Sequence, residues 1–275
     1  SPGGSGALYL SANNFLDKGQ SILLRDRHWG PYKGFIQNNS LNYETWPLLP
    51  PNGNDSHPYF AKEEFESKLG ELCSKQDKVM VWLNDPAHNP TGLSMSPIGR
   101  SVCLESFVES ALNHPKVGHT LLIDSAYSLY ADETHAWADT ILESLENGLM
   151  WPENLLVTVA VSLSKSHTIY GLRTGALVSM HPEKEVTDRL DTVLCVTARQ
   201  TWSATPRVSQ YCVSEMHSSE EGGNAWGKER DRLKKLLDDR RNVLISECEK
   251  LSVPLNPTMD GFFAWIEAED PVAIA

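Results

Sequence analysis

Short runs of strand-forming residues alternate along this chain with segments of helical period, and that alternation restricts the fold more than any other feature. Strands are expected at Ser21–Arg25, Asn42–Trp46, Lys78–Leu83, Thr120–Asp124, Leu155–Val161 and Gly175–Met180. Helices are expected near Gly6–Leu16, Tyr32–Asn38, Ala61–Ser74, Ile98–Leu112, Trp137–Glu146 and Glu183–Ala198. Several of the strands, Leu155–Val161 above all, are almost continuously apolar, as they must be when helices cover both faces of a sheet. The expected fold class is therefore α/β, with a mostly parallel sheet built from right-handed crossovers. The stretch Leu48–Pro58, rich in Pro, Asn and Gly, reads as a surface loop.

After Gly223 the pattern changes. Asn224–Leu251 has few breakers and spaces Leu233, Leu236, Leu237, Val243, Leu244 and Ile245 for a long amphipathic helix. Beyond it, Val253–Pro257 and the strand-like run Gly261–Ile266 open what reads as a second domain, whose strand finds no partners before Ala275. The expected division is 1–222 for a large domain, 223–251 for a connecting helix and 252–275 for the beginning of a truncated small domain. The chain is thus expected to be incomplete.

At 275 residues the chain can bury a full core. A net charge of -12 argues against a nucleic-acid footprint, which needs a basic face. No apolar run reaches the length of a membrane span, and no N-terminal signal pattern is visible. The five cysteines, Cys73, Cys103, Cys195, Cys212 and Cys248, are scattered and form no CxxC pair. They read as reduced thiols of a cytoplasmic protein. His88, His114, His119 and His135 are scattered as well, so no metal site is expected.

Groups able to do chemistry fall at strand ends or helix starts, where open α/β sheets bind ligands. Pro2–Ala7, reading PGGSGA, precedes the first helix. Its glycines would let a phosphate approach the backbone and the Ser5 hydroxyl donate, unless the run is an ordinary turn. Asn84–Gly92, reading NDPAHNPTG, is either a turn or a rigid loop presenting the Asn89 amide to a ligand oxygen. Asp124 ends a buried strand, with Tyr127 three residues on; it is either a helix cap or a fixed anion for a protonated ring nitrogen. In Val161–Ala176, reading VSLSKSHTIYGLRTGA, two cations follow a core strand. Lys165 is either solvated or the nucleophile of a Schiff base, and Arg173 offers a planar fork for a phosphate.

PGGSGA, NPTG, DxAY and SLSK followed by R-x-G eight residues beyond the lysine, in this order and spacing, resemble the fold-type-I pyridoxal-phosphate aminotransferases of the aspartate and aromatic branch. The resemblance extends from Ser1 to about Trp265. It implies the three-layer large domain of the pyridoxal-phosphate-dependent transferases, with the start of a small domain. Lys165 would hold pyridoxal 5'-phosphate as a Schiff base and move the substrate's proton. Asp124 would pair with the pyridinium nitrogen, and Tyr127 and Asn89 would bond the phenolic oxygen. Gly4, Ser5, Ser162 and Arg173 would hold the phosphate, and Trp29 would stack on the ring.

Arg199 aligns with the arginine that, in dicarboxylate-using members, reaches the neighbouring subunit's site. It can equally be a surface ion-pair residue. A homodimer with composite sites, acting on an amino acid and a 2-oxo acid, is expected, and the amino acid is expected to be aspartate, glutamate or an aromatic one. The same motifs serve β-lyases and decarboxylases of this fold, and an aminotransferase-like effector-binding domain of a transcription regulator is a further alternative that the acidic charge disfavours. Two departures stand out. The branch carries an Asn-His pair where this chain has Pro31 and Tyr32, which is expected to remove one group beside Asp124. The arginine for the substrate's α-carboxylate would fall beyond Ala275, and the segment reaching across the dimer would precede Ser1.

Overall fold

The structure, a computed structural model, describes residues 1–51, 57 and 59–270. The loop expected over Leu48–Pro58 lies largely outside the described residues. Six strands form one sheet: β1 (Ser21–Arg25), β2 (Asn42–Trp46), β3 (Lys78–Asn84), β4 (Gly118–Asp124), β5 (Leu155–Ser162) and β6 (Gly175–Met180). Their order is β2-β1-β3-β4-β5-β6, and every pairing is parallel except β5 with β6. This is the mostly parallel α/β sheet that the alternation predicts.

The apolar runs are continuous because both faces are covered. From β3 and β4, Val79, Val81, Leu83, Leu121 and Ile123 pack on one side against the helices α3 (Lys62–Lys75), α4 (Pro97–Asn113) and α5 (Ala136–Glu146). Met80, Trp82 and Leu122 face the other side, against α1 (Gly3–Asn14) and α2 (Tyr32–Asn38). Alternate residues along a strand point to opposite faces, so each strand contributes to both cores. A four-residue helix, α6 (Leu163–Ser166), leads out of β5, and α7 (Lys184–Thr201) follows β6.

Two elements differ from expectation. A helix, α8 (Arg207–Ser218), occupies a stretch where no helix is expected above; only Ser209 is buried along it, and its apolar Val208 and Tyr211 are exposed. The run Gly261–Ile266, expected as a strand, makes a single bridge between Leu255 and Ile266. Its aromatic residues serve other contacts: Phe262 packs edge-on against Tyr130 and Phe263 against Tyr127, at centroid distances of 4.7 and 5.4 Å. The backbone amides of Met259 and Asp260 donate to the Gly92 carbonyl, so the run lies over the loop after β3. Before it comes α9 (Glu220–Leu251), a helix of 32 residues.

Candidate functional site

The carboxyl ends of β3, β4 and β5 bring Asn84, Asp124 and Ser162 to one edge of the sheet. There they meet the start of α1 around a cavity of about 440 Å³. Gly4, Ser5, Trp29, Asn89, Asp124, Tyr127, Ser162, Lys165 and Arg173 all line it, together with Asn84, Ser164, Tyr170 and Phe263. Residues as distant in sequence as Gly4 and Phe263 thus share one pocket. Arg199 stands elsewhere, exposed on α7, with its guanidinium donating to the Ser203 hydroxyl at 2.7 Å.

Asp124 lies at the floor, 6% exposed. One carboxylate oxygen accepts from the Tyr32 hydroxyl at 2.6 Å and the other from the Ala126 amide at 3.1 Å. Burial pushes this carboxyl above the usual range, while these two donors pull it back. The same burial, reinforced by the Asp124 charge, raises the Tyr32 phenol well above its ordinary value, so it remains a donor. The sequence comparison with the branch pattern suggested that Pro31 and Tyr32 remove a group beside Asp124; the hydroxyl of Tyr32 instead supplies one. Trp82 and Trp29 hold the Tyr32 ring edge-on, at 5.1 and 5.6 Å.

Asn84, which opens the NDPAHNPTG loop but was not expected to take part in the site, braces the pocket. Its amide nitrogen donates to the Asp124 carbonyl at 2.7 Å, and its oxygen accepts from the Asn89 backbone at 2.6 Å. Asn89 in turn donates to the Tyr127 hydroxyl at 3.3 Å. Tyr127 is pushed up to about 12, chiefly by burial, so its own proton is available to a ligand oxygen. The Asp85–Pro86 and Asn89–Pro90 peptide bonds in this loop are cis.

The opposite wall is cationic. Arg173 has left-handed backbone angles, φ 51° and ψ 54°. Its guanidinium donates to the Ser164 hydroxyl at 3.1 Å, the Tyr170 carbonyl at 2.8 Å and the Pro2 carbonyl at 3.3 Å. Beside it α1 begins with Gly3, Gly4 and Ser5, with no side-chain cap and no acidic residue in its first turn. First-turn amides without a cap, next to a guanidinium, are suited to an anion such as a phosphate. Gly3, at φ 71°, lies so close to Arg173 that a Cβ there would meet the guanidinium at 2.5 Å. Lys165, on α6, places its Nζ 5.0 Å from the centre of the Tyr170 ring. Its backbone is fixed by a bond from the Tyr130 hydroxyl to the Lys165 carbonyl at 3.2 Å.

A lysine amine, an anion backed by a phenol, two neutral donors for an oxygen and a cationic phosphate cradle converge here. The model of the family described as aminotransferase class I and II matches residues 1–273. The chain belongs to this family. A crystal structure of an aminotransferase from Anaerococcus prevotii superposes with a TM-score of 0.88 at 27% identity, covering 97% of this chain and 62% of that one. The aromatic-amino-acid aminotransferase of Paracoccus denitrificans is 26% identical over 258 residues, 91% of this chain and 59% of the relative. The mitochondrial aspartate aminotransferase of Schizosaccharomyces pombe is 23% identical over 248 residues, 88% of this chain and 52% of the relative. The chain therefore spans a little over half the length of these curated relatives. The family depends on pyridoxal phosphate, and the donor set of the pocket fits that group: an amine for its carbonyl, an anion for its ring nitrogen and a cradle for its phosphate.

Proposed function

We propose that the protein is a pyridoxal-phosphate-dependent aminotransferase that passes an amino group from an amino acid to a 2-oxo acid in a ping-pong cycle. The observation that carries this reading is the opposition of Lys165 and the buried Asp124–Tyr32 pair across one cavity with Arg173 and the start of α1. When bound, pyridoxal phosphate supplies an electrophilic carbonyl and an electron sink for the charge left on a deprotonated α-carbon.

In this reading Lys165 would hold the cofactor through Nζ and would take the proton from the substrate's α-carbon. Asp124, whose carboxylate accepts from Tyr32 and Ala126, would hold the proton on the ring nitrogen. Asn89 and Tyr127 would donate to the phenolic oxygen, Trp29 would stack on the ring, and Gly4, Ser5, Ser162 and Arg173 would hold the phosphate. Arg199 would serve the site of a second copy, in a homodimer acting on aspartate, glutamate or aromatic amino acids. Support for a second copy comes from the half-exposed apolar side chains Val193 and Val196 on α7, next to Arg199 on that helix.

The test is borohydride reduction followed by peptide mass spectrometry, with transfer of ¹⁵N from an amino acid to a 2-oxo acid measured in parallel. A reduced pyridoxyl adduct on Lys165, lost in Lys165→Ala, together with ¹⁵N in the new amino acid, supports the reading. An adduct on another lysine removes Lys165 from this role. Carbon dioxide or a β-elimination product in place of the labelled amino acid assigns a decarboxylase or lyase instead.

A further inference from the structure

At the end of the sheet opposite the pocket, three side chains with metal-ligand chemistry converge. Cys73 lies in the last turn of α3, His114 directly follows α4, and His119 is the second residue of β4. One donor atom from each lies within 4.8 Å of the other two. Cys73 and His119 are buried, at 8% and 1% exposed, and His114 is half-buried at the surface side. His119 stands five residues before Asp124 on the same strand, on the order of 16 Å away at about 3.3 Å per residue.

Hydrogen bonds settle which nitrogens are free. The Nδ1 of His119 lies 2.9 Å from the Val117 carbonyl, and the Nδ1 of His114 lies 2.9 Å from the Ser110 carbonyl. A carbonyl only accepts, so in each neutral ring Nδ1 carries the proton and Nε2 keeps a lone pair. His119 is the more buried of the two rings. Its Nε2 lies 3.5 Å from the Cys73 sulfur and 3.0 Å from the Ser110 hydroxyl. An imidazole tied by one nitrogen to a backbone carbonyl, with the other facing a thiol, is oriented as ligating histidines are.

We propose that Cys73, His114 and His119 form a binding site for a borderline-soft divalent cation of the zinc class. A tetrahedral ion with bonds of about 2.3 Å to sulfur and 2.0–2.1 Å to nitrogen separates those two atoms by about 3.6 Å. The Cys73–His119 edge already has that length. His114 completes the set, with a donor atom within 4.8 Å of the other two, and the Ser110 hydroxyl or a water takes the fourth position. The ion replaces the thiol proton, which leaves to solvent. A thiolate with two imidazoles matches zinc better than magnesium or calcium, which prefer oxygen.

Such an ion would clasp the ends of α3 and α4 to the start of β4, far from the reacting groups, so its effect is on stability. Scattering along the sequence concealed the site: Cys73 and His119 are 46 positions apart, and no ligand spacing announces them.

The exposed thiols of Cys195 and Cys212 are first changed to serine, and the chelator-treated protein is titrated with Co²⁺. One equivalent should bind with a thiolate-to-cobalt charge-transfer band and strong tetrahedral d–d bands, both displaced by Zn²⁺. Cys73→Ser should abolish the charge-transfer band. His114→Gln should weaken binding by at least the roughly 10- to 100-fold that loss of an outer-shell partner costs. Zn²⁺ should raise the unfolding temperature of the parent and leave that of Cys73→Ser unchanged. Absence of the band, its survival in Cys73→Ser, or equal affinity in His114→Gln overturns the proposal and leaves a hydrogen-bonded cluster.

Discussion

The Tyr32 hydroxyl and the Asp124 carboxylate meet at 2.6 Å in a buried setting, so the charge of Asp124 depends on a donor outside the cavity lining. A hydrogen bond to a charged group contributes about 1.5–3 kcal/mol. Tyr32→Phe should therefore lower kcat/KM for an amino-acid donor roughly 10- to 100-fold, with the pyridoxyl adduct on Lys165 retained. Asp124→Asn should be more severe: an amide cannot keep the ring nitrogen protonated, and ~4 kcal/mol on the barrier is about a 1,000-fold loss. Turnover in Tyr32→Phe equal to the parent would mean that Ala126 alone fixes the carboxylate. The sequence marked Lys165, Asp124, Asn89, Tyr127 and Arg173, which line one cavity, because each ends or follows a strand in a short motif. The roles of Tyr32 and Asn84 were not legible in that way. Tyr32 acts on a partner 92 positions away, and Asn84 acts through backbone groups of two separate segments; both roles arise only when the strands are assembled.

At the scale of elements, the strand and helix pattern was legible from Ser21 to Thr201 because both sheet faces are buried, which leaves nearly unbroken apolar runs between amphipathic helices. It faded in α8, whose apolar residues Val208 and Tyr211 are 69% and 65% exposed, and in Gly261–Ile266, where β-forming residues pack on rings instead of a ladder. The junction of α1 with β6 is tight. A Cβ on Gly175 would meet the Gly3 carbonyl carbon and the Val161 oxygen, each at 2.5 Å. Both are backbone atoms, so neither can rotate away. Gly175→Ala should cost about 1–3 kcal/mol, as overpacking typically does, and should loosen the phosphate cradle with it. Gly34, inside α2 with nothing within 4 Å of a Cβ, is the control: Gly34→Ala should be neutral or stabilising by up to about 1 kcal/mol. Urea midpoints and pyridoxal phosphate affinity for the two variants check this, and equal stability would remove the steric argument at Gly175.

For the whole molecule, burial sets the acid limit and exposure sets the partner. His88 is held neutral first by burial and then by the charge of Arg25, so its pKa lies well below the ordinary value. The unfolded chain protonates it near pH 6.5, so below about that pH the unfolded state binds a proton that the folded state refuses. Stability complete above pH 6.5 is then lost toward acid, by up to about 1.4 kcal/mol per pH unit for this group, and His88→Gln should flatten the measured slope between about pH 6.5 and 5. At the outer face, no residue of α7 is buried, while Val193 and Val196 are 49% and 52% exposed and Val178 on β6 is 48% exposed. If a second copy covers this face, Arg199 lies at the boundary and its guanidinium can meet a substrate carboxylate in the neighbour's cavity, bidentately. Arg199→Ala should then reduce kcat/KM for aspartate by the equivalent of about 2–5 kcal/mol, with much smaller changes for phenylalanine and alanine. Sedimentation should give twice the mass of the chain in both forms, since among the described residues the substitution removes a single side-chain hydrogen bond, to Ser203. Equal losses on the three amino acids, or a monomer with full activity, would return Arg199 to the surface of a single chain.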